Sequence, residues 1–401
     1  MRSYPLAAFT SISLALCLTT SCQLNDDPIV IDIEFPTPSA VEATFGGNLD
    51  LDNLLNYQNQ EIPDYINKDN TGPNGISDAG ATLGRVLFYD KNLSVDNTIS
   101  CSSCHQQSLA FGDADLASTG VAGLTGRHSM RLVNARFGNE ISFFWDERAA
   151  TLEQQTTMPI QDHIEMGFSG ADGDPDFTEL ITKLNDLAYY PELFEFVFGD
   201  PEINEDRMQR ALAQFIRSIQ SFDSRYDEGR AMVNNDNAPF PNFSQEENLG
   251  KQLFRAPPQF NNQGQRTGGG LGCQACHSGP EFDIQPNSGN NGIIGVIGGG
   301  ATDITITRSP SLRDVLNPSG ETNGPFMHTG ILSTLNDVIS HYNNMPESSL
   351  NPRLDNRLRP GGNLQRLNMT DDERSALLAF LATLTGSNLY VDERWSDPFP
   401  E

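Results

Sequence analysis

Two copies of one short motif constrain this chain more than any other feature of its sequence. The first copy is "CSSCH" at residues 101–105, and the second is "CQACH" at residues 273–277. Four of the six cysteines form these two pairs, and the other two, Cys17 and Cys22, lie near the N-terminus. Because a histidine follows each pair directly, one kind of ligand has to account for both copies.

Three kinds of site contain closely spaced cysteines. A disulfide framework would distribute its cysteines to connect distant loops, and a zinc ribbon does not need a histidine directly after each pair. C-x-x-C-H is the signature of covalent c-type haem attachment, in which two thiols bond the porphyrin and the adjacent imidazole binds the iron. The sequence therefore predicts two covalently bound c-type haems. The residues expected to hold them are Cys101, Cys104 and His105 for one haem, and Cys273, Cys276 and His277 for the other.

Residues 1–22 predict a lipoprotein signal peptide. Arg2 precedes the apolar run "LAAFTSISLALCL", and a small residue, Ser21, precedes Cys22 as in a lipobox. Cleavage there would leave Cys22 as a lipidated N-terminus, while ordinary secretion is the alternative because Thr19 departs from the commonest lipobox. We expect an exported protein, periplasmic or at the outer membrane or cell surface, that contacts the membrane only through its lipid anchor.

Segment composition predicts the order of domains after this signal. Residues 23–45 are acidic and contain proline, as in a tether. A polar stretch with two prolines at 232–243 indicates a boundary, which gives an N-terminal haem domain at 46–235 and a C-terminal haem domain at 236–401. Strand-like alternation is nearly absent, so the predicted fold class is mostly α, with two cytochrome c-like haem domains, long loops and little β structure.

Helical periodicity and capping pairs locate three helices. The stretch "DRMQRALAQFIRSIQSF" places its apolar residues on one face. Two further helices open with capping boxes, Ser244 with Glu247 and Thr370 with Glu373, and the second is expected to close at Gly386. The glycine-rich runs 267–272 and 292–300 are typical of loops.

Net charge limits the range of partners. The chain carries 25 basic and 53 acidic residues, a formal net charge of −28. This argues against nucleic acid and anionic lipid as partners. An acidic surface would attract a basic protein such as a small cytochrome, although it also serves solubility.

Between the two motifs lies "FFWDERAATLEQQTTMPIQDHIEMG", residues 143–167. This stretch resembles the bacterial dihaem cytochrome c peroxidases and the related MauG-type enzymes, which carry F-W-D-G-R-A, E-Q, G-P-I and E-M between their C-x-x-C-H motifs. The resemblance extends from about residue 80 to 385. Glu147 stands where the family usually has glycine, and His163 where it often has proline.

The resemblance implies which residues surround the peroxide-binding haem. They are Trp145, Gln155, Pro159 and Glu165. Chemistry supports two of them independently, because peroxide cleavage needs a base that moves a proton between the two oxygens. A buried carboxylate has a raised pKa that suits this shuttle, and a glutamine can donate a hydrogen bond without competing for the iron. We expect Glu165 and Gln155 to fill these roles.

In the family the N-terminal haem is the reactive one, which implies an open iron opposite His105. Many members block this iron with a loop histidine, but the matching place, close to Gly120, holds none. His128 stands where the family has an asparagine associated with calcium, and it is either a structural residue or a distal ligand. Asn323 and Pro325 stand at the remaining calcium contacts. Because calcium prefers oxygen ligands, the histidine at position 128 makes a calcium ion doubtful. We expect no need for reductive activation, as in the MauG-type branch.

The sixth ligand of the second haem is predicted from the same register. The family position falls on Tyr342, which shares an apolar helical stripe with the residues before it. His341 and Met345 are the alternatives. His328 matches a family histidine near this haem and is expected not to bind the iron.

The resemblance implies a dihaem peroxidase that reduces hydrogen peroxide to water with electrons from a cytochrome c or similar donor. One alternative is a MauG-like oxidase that uses a high-valent dihaem state to modify a protein or organic substrate. Another is a non-catalytic electron-transfer or redox-sensing cytochrome. Family members are often dimers, so a homodimer is expected on that ground alone.

Overall fold

The computed structural model describes residues 38–139, 142–347 and 351–400. The predicted signal peptide, with Cys22 and most of the tether, lies outside these residues. None of the helices in the described ranges combines the length and apolar character needed to cross a membrane. The α-helices there are α1 (Ala40–Phe45), α2 (Asp78–Tyr89), α3 (Cys101–Cys104), α4 (Leu152–Thr157), α5 (Phe177–Asn185), α6 (Tyr189–Phe198), α7 (Glu205–Ser218), α8 (Arg225–Ala231), α9 (Gln245–Arg255), α10 (Leu335–Asn343) and α11 (Asp371–Ala382).

The β structure consists of short antiparallel pairs. They are β1 (Thr119–Gly120) with β2 (Gly123–Leu124), β3 (Pro258–Phe260) with β4 (Arg266–Gly269), and β5 (His277–Ser278) with β6 (Asp283–Ile284). The predicted fold class, mostly α with long loops and little β structure, is confirmed. The expectation that 267–272 is entirely a loop is wrong, because β4 takes its first residues into a pair with β3.

The three helices expected from the sequence are present. The apolar face of α7 is buried, and both capping boxes form at the starts of α9 and α11. The predicted end of α11 is wrong: the helix ends at Ala382 and not at Gly386. Its last turn is closed when the Thr383 amide donates to the Phe380 carbonyl, and the Gly386 amide instead donates to Asp314 Oδ1 at 2.9 Å.

Two crossed helix pairs organise two hydrophobic clusters. In the first cluster α2 crosses α7 where Gly84 meets Ala211, and in the second α9 crosses α11 where Gly250 meets Ala376. A Cβ atom on either glycine would overlap the facing carbonyl oxygen, so only glycine permits the crossing. The sequence repeats this arrangement as "GRVLF" and "GKQLF", facing "ALAQF" and "ALLAF". That repeat was readable from the sequence but was not among our expectations.

Both ends of the described chain pack on the first cluster. Val41 and Phe45 of α1 are buried there, so the folded chain begins before the end of the predicted tether at residue 45. Trp395 is also buried in this cluster, although it follows α11 of the second. Tyr226 of α8 belongs to the second cluster although it precedes the predicted boundary. The boundary between residues 235 and 236 stays a prediction.

We predict that Gly250→Ala lowers the free energy of unfolding by about 1–3 kcal/mol, because the new methyl group forces α9 away from α11. Urea denaturation followed by far-UV circular dichroism measures the change. Gly47→Ala is the control, since a Cβ atom there has no neighbour within 4 Å, and it should stay within about 0.5 kcal/mol of the parent. Equal midpoints for the two variants would contradict the prediction.

Candidate functional site

The first C-x-x-C-H motif opens onto a cavity of about 570 Å³. Cys101, Cys104 and His105 form part of its wall. The residues that the family pattern placed around a peroxide-binding haem also line it. These are Trp145, Gln155, Pro159 and Glu165. The structure therefore brings residues from α3, α4 and two loops to a single cavity.

The turn after the first motif orients His105. Ala110 and Phe111 have φ values of 54° and 60°, a left-handed conformation that directs the Phe111 carbonyl back toward the imidazole. Nδ1 of His105 lies 3.1 Å from that carbonyl and donates to it. Burial lowers the pKa of His105, which favours the neutral ring. Nε2 is then left as the nitrogen able to bind a metal.

The carboxyl group of Glu165 titrates near neutral pH in this cavity. Burial and, less strongly, the Asp162 carboxylate raise its pKa to about 7 against the opposing effect of the Arg148 guanidinium. Met166 is buried and lines the same cavity, whereas Ile164 is 39% exposed. Of the two apolar residues that flank Glu165, Met166 therefore shields it from water and Ile164 does not. A carboxyl group of this kind can accept a proton and return it.

The backbone around Glu165 is hydrogen-bonded on both sides. Asp162 Oδ1 accepts from the amides of Ile164 at 2.8 Å and Glu165 at 3.1 Å. On the opposite side the β1–β2 hairpin donates, with the Val121 amide 3.1 Å from the Glu165 carbonyl and the Ala122 amide 3.2 Å from the Ile164 carbonyl. These bonds fix the position from which the Glu165 side chain enters the cavity.

Gly120 permits this contact between the hairpin and the Glu165 segment. A Cβ atom at Gly120 would overlap the Ile164 carbonyl oxygen and lie 2.9 Å from the Glu165 Cα atom. Gly120 is also the place near which many family members carry their blocking histidine. In this chain the backbone at Gly120 packs directly against residues 164–165.

Trp145 lies between the two cofactor cavities and lines both of them. Its Nε1 atom donates to the His128 carbonyl at 2.7 Å, and its ring lies 6.3 Å from the ring of His328 at 62°. Sequence reasoning placed Trp145 at the first cavity only. Its contact with the second cavity depends on a loop far along the chain, so no local pattern indicated it.

The two departures from the family motif both point away from the cavity. Glu147 has a φ of 56°, a conformation that favours glycine, and its carboxylate accepts from Thr307 Oγ1 at 2.7 Å. His163 is exposed and pairs with Asp174 at 2.7 Å. Neither side chain lines the first cavity.

The second motif opens onto a cavity of about 430 Å³. Cys273, Cys276 and His277 form part of its wall. Burial lowers the pKa of His277 to about 4, so the ring is neutral and able to bind a metal. Its Nδ1 atom is buried and has no hydrogen-bond partner in the described part of the chain.

Of the three residues considered as sixth ligand, Tyr342 alone lines the second cavity. Asn291 Nδ2 lies 3.4 Å from its hydroxyl, and burial raises the pKa of Tyr342. His341 instead donates from Nε2 to the Asn291 carbonyl at 2.8 Å. Met345 is buried in a small separate cluster with Leu354 and lies outside the cavity wall.

The residues considered for calcium binding make other contacts. His128 is buried, and its Nδ1 atom lies 2.9 Å from the Asp115 carbonyl. Asn323 donates from Nδ2 to the Asp314 carbonyl at 2.8 Å. Pro325 lines the second cavity, and His328 Nε2 lies 2.8 Å from the Gly295 carbonyl. In the ranges that the structure describes, no three His, Cys, Asp or Glu side chains are grouped to hold a metal ion.

Both cavities fit a covalently bound haem. Their volumes lie in the range of about 300–1,000 Å³ that cofactor sites occupy. None of the four motif cysteines forms a disulfide, so all four can bond a porphyrin. Each thiol pair has a buried neutral imidazole beside it, which supplies an axial nitrogen.

Comparisons with known proteins agree with this geometry. The di-haem cytochrome c peroxidase family model matches residues 78–236. The methylamine utilization protein MauG of Methylorubrum extorquens is 30% identical over 323 residues, which cover 78% of this chain and 79% of that protein. The cytochrome c551 peroxidase of Nitrosomonas europaea is 28% identical over 318 residues, covering 76% and 80%. A crystal structure of a MauG-like protein associated with microbial copper homeostasis superimposes with a TM-score of 0.65 at 28% identity, covering 85% of this chain and 99% of that one.

This chain belongs to the di-haem cytochrome c peroxidase and MauG family. It binds two c-type haems and is an oxidoreductase. The family resemblance read from residues 143–167 is thereby confirmed, and the zinc and disulfide interpretations of the two cysteine pairs are excluded.

We predict that Gly120→Ala moves the Glu165 segment toward water and lowers the pKa of Glu165 from about 7 toward that of a solvated glutamate. Infrared difference titration of the protonated carboxyl band measures the shift, and Glu165→Gln identifies the band by removing it. Gly75→Ala is the control, because its Cβ atom would meet no neighbour within 4 Å. An unchanged Glu165 midpoint in the Gly120 variant would show that the hairpin does not set this pKa.

Proposed function

We propose that this protein is a dihaem c-type peroxidase that reduces hydrogen peroxide to water with electrons from a cytochrome c or a similar donor. The observation that carries the proposal is a protonatable carboxyl group, Glu165, in the same cavity as Cys101, Cys104 and His105. An electron carrier has no use for such a group beside one of its haems. A peroxidase needs it to move a proton during O–O cleavage.

The cofactors would be held by the two C-x-x-C-H motifs. Cys101 and Cys104 would bond the first haem, and Cys273 and Cys276 the second. The Phe111 carbonyl holds His105 with Nε2 free for the iron. Once bound, the first haem supplies the iron at which peroxide binds and is reduced.

The side chains of the first cavity supply the proton transfers and the positioning. Glu165 takes a proton from one peroxide oxygen and returns it to the other, because its pKa near 7 suits both steps. Gln155 donates a hydrogen bond that orients the oxygen. Pro159 and Met166 form an apolar wall that limits water and keeps the pKa of Glu165 raised. Trp145 lines both cavities and would therefore lie between the two cofactors.

A MauG-like oxidase is the second candidate. It is favoured by Tyr342 in the wall of the second cavity, since an anionic oxygen ligand stabilises oxidised iron. The packed hairpin at Gly120, which holds no blocking histidine, favours the same function. In that case the oxidising equivalents would be consumed in modifying a protein or another organic substrate, and no cytochrome would supply electrons to the haems.

Export, lipid anchoring at Cys22 and a homodimeric state are further parts of the proposal. Export rests on the need to attach c-type haems outside the cytoplasm and on the signal-like sequence of residues 1–22. Partner choice follows from the formal net charge of −28, which favours a basic electron donor over nucleic acid.

Steady-state turnover of peroxide with a reduced basic cytochrome c tests the proposal against both alternatives. The peroxidase should oxidise the cytochrome catalytically. A modifying oxidase should react with peroxide but oxidise the cytochrome poorly. If the ferric protein has two low-spin, six-coordinate haems and does not react with peroxide even after partial reduction, the enzyme proposal is wrong.

We predict that Glu165→Gln slows the reaction with peroxide by about 10²-fold or more, because the amide cannot accept the proton. In the parent the rate should rise as pH increases through about 7, since the carboxylate is the active form, and the variant should lose this rise. Stopped-flow absorption measures both rates. Glu147→Gln is the matched control, because that carboxylate lies outside the cavity and the amide can still accept from Thr307. A parent-like rate for Glu165→Gln would remove this residue as the base.

We predict that Tyr342→Phe changes the ligation of one haem from six-coordinate to five-coordinate and leaves the other haem unchanged. Absorption and EPR spectra of the ferric protein report this difference. His341→Gln and Met345→Leu should leave both spectra as in the parent, since neither side chain lines the cavity. A spectral change in one of these two variants, with none for Tyr342→Phe, would identify the residue replaced in that variant as the sixth ligand.

A further inference from the structure

Arg131 is a buried guanidinium without a carboxylate partner. The residue is 8% exposed, its Nη2 atom donates to the Ser311 carbonyl at 3.3 Å, and its Nε atom is buried with no partner. Among the residues that the structure describes, no carboxylate oxygen lies within 4 Å of it. Burial lowers the pKa of Arg131 to about 10, which still leaves the group charged at neutral pH.

Several other arginines with buried side chains in the described ranges pair with carboxylates, and buried Arg85 donates from Nε and Nη2 to Ser396 at 2.6 and 3.1 Å. Arg313 is wholly buried and donates to both oxygens of Asp227, at 2.8 and 2.9 Å. Arg217 pairs with Glu153, and Arg266 pairs with Glu373. A buried cation without a counter-ion is strongly unfavourable, so Arg131, whose one acceptor is the Ser311 carbonyl, points to an anion that the protein chain does not itself supply.

Asp314 is the carboxyl group that acts most strongly on Arg131, but it is not bonded to it. Its Oδ1 atom accepts from the Gly386 amide at 2.9 Å and from the Tyr390 hydroxyl at 3.2 Å. Burial raises the pKa of Asp314 to about 6, so this carboxyl group is itself poorly compensated. The counter-ion of Arg131 must come from elsewhere.

The position of Arg131 indicates what that anion is. Arg131 lines both the first and the second cavity. The stem of Arg131 packs closely against Gly112, where a Cβ atom would lie only 2.8 Å from the Arg131 Cγ atom. The guanidinium carbon of Arg131 lies 5.9 Å from the centre of the Phe326 ring. The next residue, Leu132, donates to the same Phe111 carbonyl that orients His105.

We propose that the Arg131 guanidinium binds a propionate carboxylate of haem and, lying in the wall of both cavities, acts electrostatically on both cofactors. A guanidinium matches a carboxylate through two parallel hydrogen bonds, and the porphyrin brings that carboxylate into a cavity where the chain leaves the charge unpaired. A fixed positive charge favours the reduced form of each haem, which is less positive than the oxidised form. The inference rests on the two bound haems and does not depend on the peroxide reaction.

Spectroelectrochemical titration of the holoprotein tests this inference. Arg131→Gln should lower the midpoint potentials of both haems, and the propionate bending band in the resonance Raman spectrum should shift. Arg136→Gln is the matched control, because it removes the same charge five residues away, from a guanidinium that pairs with Asp69 and lines neither cavity. It should leave both potentials at the parent values.

A second variant keeps the test decisive if Arg131→Gln loses haem. Arg131→Lys retains the charge but not the planar fork, so both potentials should stay near the parent while the propionate band shifts. Unchanged potentials and an unchanged band in both variants, or a shift confined to one haem, would overturn the proposal. Repeating the parent titration with added acetate separates the two sources of carboxylate. Potentials that move with acetate would mean a free anion occupies the site, which would also overturn it.

Discussion

Each of the two hydrophobic clusters contributes apolar side chains to the wall of one haem cavity. Protein interiors are normally close-packed, with few voids larger than a water molecule. Haems bound in the cavities of about 570 and 430 Å³ would therefore supply the packing partners of the apolar walls. The glycine crossings at Gly84 and Gly250 set the helices close on one side of each cavity, while a C-x-x-C-H motif forms part of its wall. Attachment of each haem and packing of the apolar residues around it are therefore coupled, once at each C-x-x-C-H motif.

The chemistry proposed for the first cavity depends on backbone contacts as much as on the residue types that line it. Glu165 owes its raised pKa to burial, and its burial depends on where residues 164–166 run. Asp162 fixes that segment from one side and the β1–β2 hairpin from the other, with Gly120 allowing the close approach. The same contacts thus set both the position of the Glu165 side chain and its pKa. A shift of the hairpin would alter both at once, which is how a loop can control a peroxidatic site without supplying a ligand to the iron.

Features carried by local chemistry were predictable from the sequence, and features that depend on distant contacts were not. The motif cysteines and the capping boxes at Ser244 and Thr370 follow from residue type and spacing alone. The pocket residues came from a family motif, and their grouping in one cavity agrees with it. The end of α11 was misjudged because the Gly386 amide donates to Asp314, which lies far away in the sequence. Gly120, Trp145 and Arg131 matter through contacts between segments that no periodicity connects, although the "GRVLF" and "GKQLF" repeat could have located the two helix crossings.

The two cavities differ in the charges that face them, and this difference bears on which reaction the protein performs. A protonatable carboxyl group lines the first cavity, and a buried phenol lines the second. If Tyr342 binds iron as a phenolate, it stabilises the oxidised state of the second haem, whereas the positive charge of Arg131 favours the reduced state of both. A dominant tyrosine would let the second haem hold an oxidising equivalent for a slow reaction with an organic substrate. A dominant arginine would raise its potential and favour rapid reduction by a cytochrome. Tyr342 and Arg131, which both line the second cavity, would therefore shift the potential of this haem in opposite directions, toward an oxidase and toward a peroxidase respectively.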